Sequence, residues 1–152
     1  MFAQVQAAKK RLTGYAHVTP IVTSRTLNRL VGAQVYFKCE NFQKVGAFKF
    51  RGAFNSMSTL TAAEKAQGVI TYSSGNHAQA VAFVGHMLNI RTTIVMPENA
   101  PATKRVATKG YGGHIVGYDI EQTDREVVAK DLQAKNNYAM IPSFDHLDVI
   151  AG

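Results

Sequence analysis

From residue 68 onward, short runs rich in β-branched residues alternate with longer stretches whose apolar positions recur at helical spacing. This is the pattern of βαβ units feeding a parallel sheet. Strands are expected at 69–72, 92–96, 114–118 and 138–141, with starts 23, 22 and 24 residues apart, each interval long enough for one helix. No self-similarity accompanies that spacing, so it is α/β winding and not a solenoid. A helix over Asn76–Leu88 carries Ala78, Ala80, Val81, Ala82, Val84 and Leu88, which predicts a helix largely buried against the sheet. Pro101 falls near the first turn of the next helix, and Gly110, Gly112 and Gly113 end it. Thr123 and the nearby acids open a third helix with apolar positions Val127, Val128 and Leu132.

Residues 1–67 follow a different pattern. A helix is expected over about 4–12, an extended entry at Thr19-Pro20, a short helix over Arg25–Val31 and an alternating strand over 35–39. After Gly46 comes a helix holding Phe48, Lys49, Ala53, Phe54 and Met57, and Thr61-Ala62-Ala63-Glu64 has the form of a capping box. The fold class is therefore α/β: a four-stranded open parallel sheet flanked by helices, preceded by an N-terminal portion.

With 152 residues, 46% of them hydrophobic, the chain has enough material for one sizeable core. No apolar run is long enough for a membrane span, and the first twelve residues lack the apolar centre of a signal peptide, so the expected compartment is the cytoplasm. Cys39 is the single cysteine, which excludes a disulfide framework and predicts a buried structural thiol. The net charge of +7 is concentrated in residues 1–60, which hold nine Lys or Arg against one acid, Glu40. These cations are scattered, without stacking aromatics or a recognition motif, so attraction for a small anion is expected rather than nucleic-acid binding.

Two segments carry candidate chemistry. Lys49 lies between Phe48 and Phe50, and an ammonium in apolar surroundings is costly to desolvate and tends toward the nucleophilic amine. It is either a Schiff-base lysine or a side chain snorkelling from a helix whose Phe48 and Phe54 face the core. Ser73-Ser74-Gly75-Asn76-His77 lies where a strand ends and a buried helix begins, the place where open α/β sheets bind ligands and free N–H groups favour anions. It is either a carboxylate- or phosphate-holding turn or an ordinary capped helix start. Ser73 or Ser74 as a hydrolase nucleophile would want a Gly-x-Ser-x-Gly elbow, which is absent. His77 and His86 are nine apart and cannot share a helix face, so no metal site is expected within the chain.

The segments Lys38-Cys39-Glu40-Asn41-Phe42-Gln43-Lys44-Val45-Gly46-Ala47-Phe48-Lys49-Phe50-Arg51-Gly52-Ala53, Ser73-Ser74-Gly75-Asn76-His77-Ala78-Gln79-Ala80, Val95-Met96-Pro97 and Val149-Ile150-Ala151-Gly152 together resemble one family. It is the serine/threonine dehydratase and serine racemase group of fold-type II pyridoxal-phosphate enzymes, which includes threo-3-hydroxyaspartate ammonia-lyases. The resemblance runs through essentially the whole chain in order. Lys49-Phe50-Arg51-Gly52 differs from the Lys-Asp-Arg segment of the related cysteine synthases.

The resemblance implies the small domain of a tryptophan synthase β-like fold at 68–145, with 1–67 as the N-terminal part of the large cofactor domain and 146–152 as the return to it. It implies pyridoxal 5'-phosphate as cofactor and Lys49 as the covalent attachment point and α-proton base. Phe48 and Asn76 would lie beside the cofactor, and Ser73, Ser74, Gly75, Asn76 and His77 around the substrate carboxylate. Ser74 matches the residue acting on the opposite face in racemases. Arg125 matches a position approaching a distal acidic group, with a surface Glu121–Arg125 helical pair as the alternative. The implied reaction is β-elimination from L-serine or L-threonine to a 2-oxo acid and ammonia, with racemisation as the alternative. Family members are about twice as long as this chain. The phosphate loop, ring-nitrogen partner and metal site would lie outside it, and its N-terminal portion would expose apolar surface. An inactive remnant, a homodimer or a module completed by a separate C-terminal half are the further expectations.

Overall fold

The computed structural model describes residues 1–152. The N-terminal portion holds helix α1 (Phe2–Leu12), strand β1 (Ile21–Thr23), helix α2 (Arg25–Val31) and strand β2 (Tyr36–Lys38). Helices α3 (Lys49–Ser58) and α4 (Ala62–Gln67) follow. The α4 capping box is complete: the Thr61 hydroxyl accepts from the Glu64 N–H, and the Glu64 carboxylate accepts from the Thr61 N–H. The parallel sheet then takes β3 (Val69–Tyr72), β4 (Thr92–Pro97), β5 (His114–Tyr118) and β6 (Ala139–Met140). Between them run α5 (Asn76–Leu88), α6 (Ala102–Gly110) and α7 (Arg125–Asn136), with α8 (Leu147–Ala151) last.

The strand order is β5-β4-β3-β6. The chain winds outward from β3 to β5 and then returns across the sheet, so the order reverses between β3 and β6. A crevice opens at such a reversal, beyond the carboxyl ends of the strands. On one face, Val69, Ala78, Val81, Val84, Ile94 and Met96 share a core with Phe50, Ala53, Phe54 and Met57 of α3. On the other, Ile70 and Val95 pack on Ala129 of α7, as the twofold alternation of strand side chains requires. The apolar core thus joins the N-terminal portion to the sheet through α3.

Several expectations are corrected. Phe48 is 59% exposed, because it sits at the N-cap of α3; Phe50 and Phe54, one turn apart on the inner face, are the buried pair. Cys39 is only half-buried, since it directly follows β2 of the exposed two-stranded sheet. The extended entry after Pro20 is a strand, β1, antiparallel to β2, and its pairing partner lies beyond the reach of a local pattern. The last strand is shorter than expected because Pro142 follows Ile141 and has no N–H to continue the ladder. Helix α7 begins only at Arg125, which leaves Glu121 in the preceding turn; Arg125 makes no ion pair with it and lies instead over the Tyr72 ring, 5.4 Å from its centroid.

Short α8 was not foreseen. It docks on α3 where Gly52 has no side chain: a Cβ there would stand 2.8 Å from the Val149 carbonyl oxygen. Buried Asn55 completes the joint, donating to the Asp148 carbonyl at 2.7 Å and accepting from Arg11 of α1 at 2.7 Å. The β1–β2 hairpin and α2 bury no residue, so Val18, Ile21, Leu30 and Tyr36 present an apolar face to solvent. No helix is long and apolar enough to cross a membrane.

Candidate functional site

Lys49 is the first residue of α3, and its side chain points across the crevice. Its Nζ donates to the carbonyl of Ser143, in the segment leaving β6, and lies 5.2 Å from the Phe48 ring centroid. Beside it is a cavity of about 270 Å³ lined by Phe48, Lys49, Gly52, Phe144, Val149 and Ile150 among others. A larger hollow of about 660 Å³, around Gln133, Asn137 and His146, is polar and holds none of the candidate catalytic or binding residues read from sequence.

An ion pair supports the segment leading to Lys49. Glu40 accepts from Arg51 Nε at 2.7 Å, from Arg51 Nη2 at 2.8 Å and from the Thr19 hydroxyl at 2.6 Å. The Arg51 hydrogen bonds are the main reason the Glu40 carboxyl is held down at about 2. Gln43 bridges to both the N–H and the carbonyl of His17, so the chain before β1 is tied to the approach to α3.

The 73–77 turn leaves β3 and opens α5. The Gly75 N–H donates to the Ser73 hydroxyl at 3.2 Å, while Gly75 itself takes the N-cap position and offers no side chain to the helix. The backbone N–H groups of Asn76, His77 and Ala78 consequently have no acceptor within the chain. Ser74 and Asn76 are exposed and Ser73 is half-buried. Space beside Gly75 is open except for the Lys104 ammonium, 3.7 Å from where a Cβ would stand. Free amides with a cation beside them are suited to hold an anion.

His77 differs from its neighbours. It is 97% buried, and its ring nitrogen Nε2 lies 3.1 Å from the Ile141 carbonyl. A carbonyl only accepts, so Nε2 carries the proton and Nδ1 is left as a bare lone pair, buried without a partner. Burial above all, with the nearby Lys49 charge adding to it, pushes the imidazole down to about 4. A neutral ring with that tautomer cannot donate toward a carboxylate at Nδ1; only the backbone N–H of His77 can.

Lys49, with Phe48 beside it, and His77 of the turn thus meet at the segment leaving β6. Arg125 stands at the end of β3 on the opposite face of the sheet, stacked on Tyr72. Sequence reasoning missed Lys104, whose one signal was a lysine in the first turn of a helix at the carboxyl edge of the sheet. It also missed the 141–143 segment, which acts through backbone carbonyls and so leaves no mark in residue types.

An open parallel sheet with a primary amine and unpaired backbone N–H groups at its topological reversal has the layout in which α/β folds bind small ligands. Residues 12–152 match the model of the family described as pyridoxal-phosphate dependent enzyme, and the chain belongs to that family. Over 99% of its length it is 53% identical to an L-threo-3-hydroxyaspartate ammonia-lyase of Saccharomyces cerevisiae and 48% identical to a serine racemase of Schizosaccharomyces pombe. The crystal structure of the Dictyostelium discoideum serine racemase superposes on the whole chain with a TM-score of 0.93 at 40% identity. The chain spans about half the length of these relatives: 46% and 47% of the two sequences and 50% of the solved chain. The cofactor is pyridoxal 5'-phosphate. The residues present fit it: a primary amine borders a partly apolar cavity, with unpaired backbone N–H groups at the same end of the sheet.

Proposed function

We propose that this chain supplies the amine and carboxylate-binding part of a pyridoxal-phosphate-dependent centre that removes the β-hydroxyl of a hydroxy amino acid such as L-threonine or L-serine. The observation that carries the reading is that Lys49 and the 73–77 turn converge on one segment: Lys49 Nζ donates to the Ser143 carbonyl, and the His77 ring lies 3.1 Å from the Ile141 carbonyl two residues earlier.

Pyridoxal phosphate, when bound, supplies an aldehyde for an amine to capture and a ring that accepts the electron pair left at Cα. Lys49 would hold it covalently through Nζ, with the Phe48 ring and Asn76 beside it. When the substrate's amine takes its place, Lys49 Nζ is freed as a base and takes the Cα proton. The Ser73 hydroxyl and the free N–H groups of Asn76 and His77 grip the substrate carboxylate, which fixes the Cα–H bond toward Lys49. The β-hydroxyl departs with a proton as water. The unsaturated amine that results takes up water at Cα and yields a 2-oxo acid and ammonia.

A second reading, racemisation of serine, is favoured by Ser74, an exposed hydroxyl at the mouth of the turn that could return a proton to the face opposite Lys49. Lys104 adds positive charge beside the turn and favours an acidic substrate such as 3-hydroxyaspartate, the compound named for the Saccharomyces relative, whereas Arg125, on the other face of the sheet, is not placed to take a distal carboxylate. The exposed apolar face around Val18, Ile21 and Leu30 is where the part of a full-length relative outside this chain would pack. Activity then belongs to the assembled protein.

Mixing the 152-residue chain with pyridoxal phosphate tests the amine. A visible absorption band that is lost in Lys49→Ala is expected; a band that persists in that variant rules Lys49 out. Assays of the assembled protein for oxo acid from L-threonine or L-serine, and for D-serine from L-serine, separate elimination from racemisation.

A further inference from the structure

We infer that His77 is a positioning residue for Lys49, acting through the backbone of the segment that leaves β6. The last ladder bond of that strand runs from the Ile141 N–H to the Ile70 carbonyl at 2.9 Å. Pro142 then breaks the ladder, since it has no N–H to donate. Beyond that point the sheet no longer holds the segment, and two side chains take over. His77 Nε2 donates to the Ile141 carbonyl at 3.1 Å, and Lys49 Nζ donates to the Ser143 carbonyl two residues later.

The two donors arrive from different places: His77 from the first turn of α5, Lys49 from the first turn of α3. They are 28 positions apart in sequence yet hold alternate carbonyls of one three-residue stretch. His77 thereby fixes the height of the Ser143 carbonyl against the crevice, and that carbonyl fixes the resting place of the Lys49 amine. The cost is visible in the ring: its Nδ1 is buried without a partner, a penalty that any apolar side chain of similar volume would avoid. An imidazole at this position is explained by the one bond that it makes. Because α5 begins at the anion-binding turn, the same helix start sets the turn and the amine relative to each other.

This inference rests on Lys49 being the reactive amine, and its test is made without cofactor, so failure of pyridoxal phosphate to bind would count against that reading and leave this one standing. Trace acetylation of the chain, read by mass spectrometry, compares Lys49 with exposed Lys109 as internal reference in wild type, His77→Phe and His77→Gln. Phenylalanine keeps the volume and removes the donor; glutamine restores an N–H donor. Lys49 in His77→Phe should label about fivefold faster relative to Lys109, the factor that one lost hydrogen bond of about 1 kcal/mol provides, with His77→Gln close to wild type. Equal labelling in all three folded proteins, or Gln behaving as Phe does, overturns the proposal. A merely structural role would alter the labelling of other lysines as well. Should His77→Phe not fold, nitrogen NMR of wild-type histidine decides: the Nε2–H tautomer supports the role, and the Nδ1–H tautomer removes it.

Discussion

Lys49 donates its Nζ proton to the backbone carbonyl of Ser143, 94 residues further along the chain. The bond closes the crevice between the helix that carries the amine and the segment that follows the last strand. Replacing Lys49 with Met removes the donor and keeps most of the side-chain volume, so the stability cost should be no more than about 1 kcal/mol. Amide exchange at Ser143 and Phe144 should quicken while that of Val69–Tyr72 is unchanged. Unaltered exchange at residues 143 and 144 would show that the contact holds nothing in place.

Stability should fall in acid in two stages. His77 moves from an ordinary 6.5 to about 4 in the fold, so between those values the unfolded chain takes up a proton that the native ring refuses. Its contribution is complete above 6.5 and is lost as pH falls toward 4, amounting to roughly 3 kcal/mol. Glu40, lowered from 4.5 to about 2, adds a second loss that begins below 4.5 and ends near 2. Urea midpoints measured from pH 7 to 4 should decline in wild type and decline less in His77→Phe. An equal decline in both would assign the first stage elsewhere.

Arg51→Ala should destabilise the chain by roughly 1–3 kcal/mol, because it leaves the Glu40 carboxylate with only the Thr19 hydroxyl as side-chain donor. The Glu40 carboxyl should return toward its ordinary range, visible in a carbon-detected NMR titration. A carboxyl still held near 2 in this variant would show that Arg51 is not the cause.

Gly52→Ala offers two effects of opposite sign. Alanine in a helix interior is favoured over glycine by up to about 1 kcal/mol, but its Cβ would press on the Val149 carbonyl oxygen, backbone that cannot turn aside. Overpacking should win, with a net loss of roughly 1–2 kcal/mol and faster amide exchange in Leu147–Ala151. A more stable variant would mean that α8 shifts at little cost.

Malonate, a dicarboxylate without an amine, should bind at the 73–77 turn and move the amide signals of Asn76, His77 and Ala78. Lys104→Met should weaken that binding by about two- to fivefold, the range for one exposed charge at a helix start, whereas Lys109→Met should not. Equal affinities for all three proteins would place Lys104 outside the site.

Much of the fold was legible because its determinants are local. The strand over Val69–Tyr72, the helix over Asn76–Leu88 and the Thr61 capping box each follow from spacing and side-chain chemistry within a dozen residues. The same holds for the family, whose motifs around Lys49 and Ser73-Ser74-Gly75-Asn76-His77 are contiguous. Phe48 was misplaced because adjacency to Phe50 says nothing about which of them lies on the inner face of a helix whose first residue is Lys49. Arg125 was paired with Glu121 on the premise of a shared helix, and the helix starts four residues too late to hold both.

The sequence by itself determined the alternation of strands and helices, the lysine, the turn and the lineage, since each is written in neighbouring residues. Tertiary structure alone decided that the sheet reverses between β3 and β6, that Ile141 and Ser143 offer their carbonyls to His77 and Lys49, and that Lys104 reaches Gly75. Those contacts join residues 29 to 94 positions apart, and half of each hydrogen bond is a backbone carbonyl that every residue type possesses.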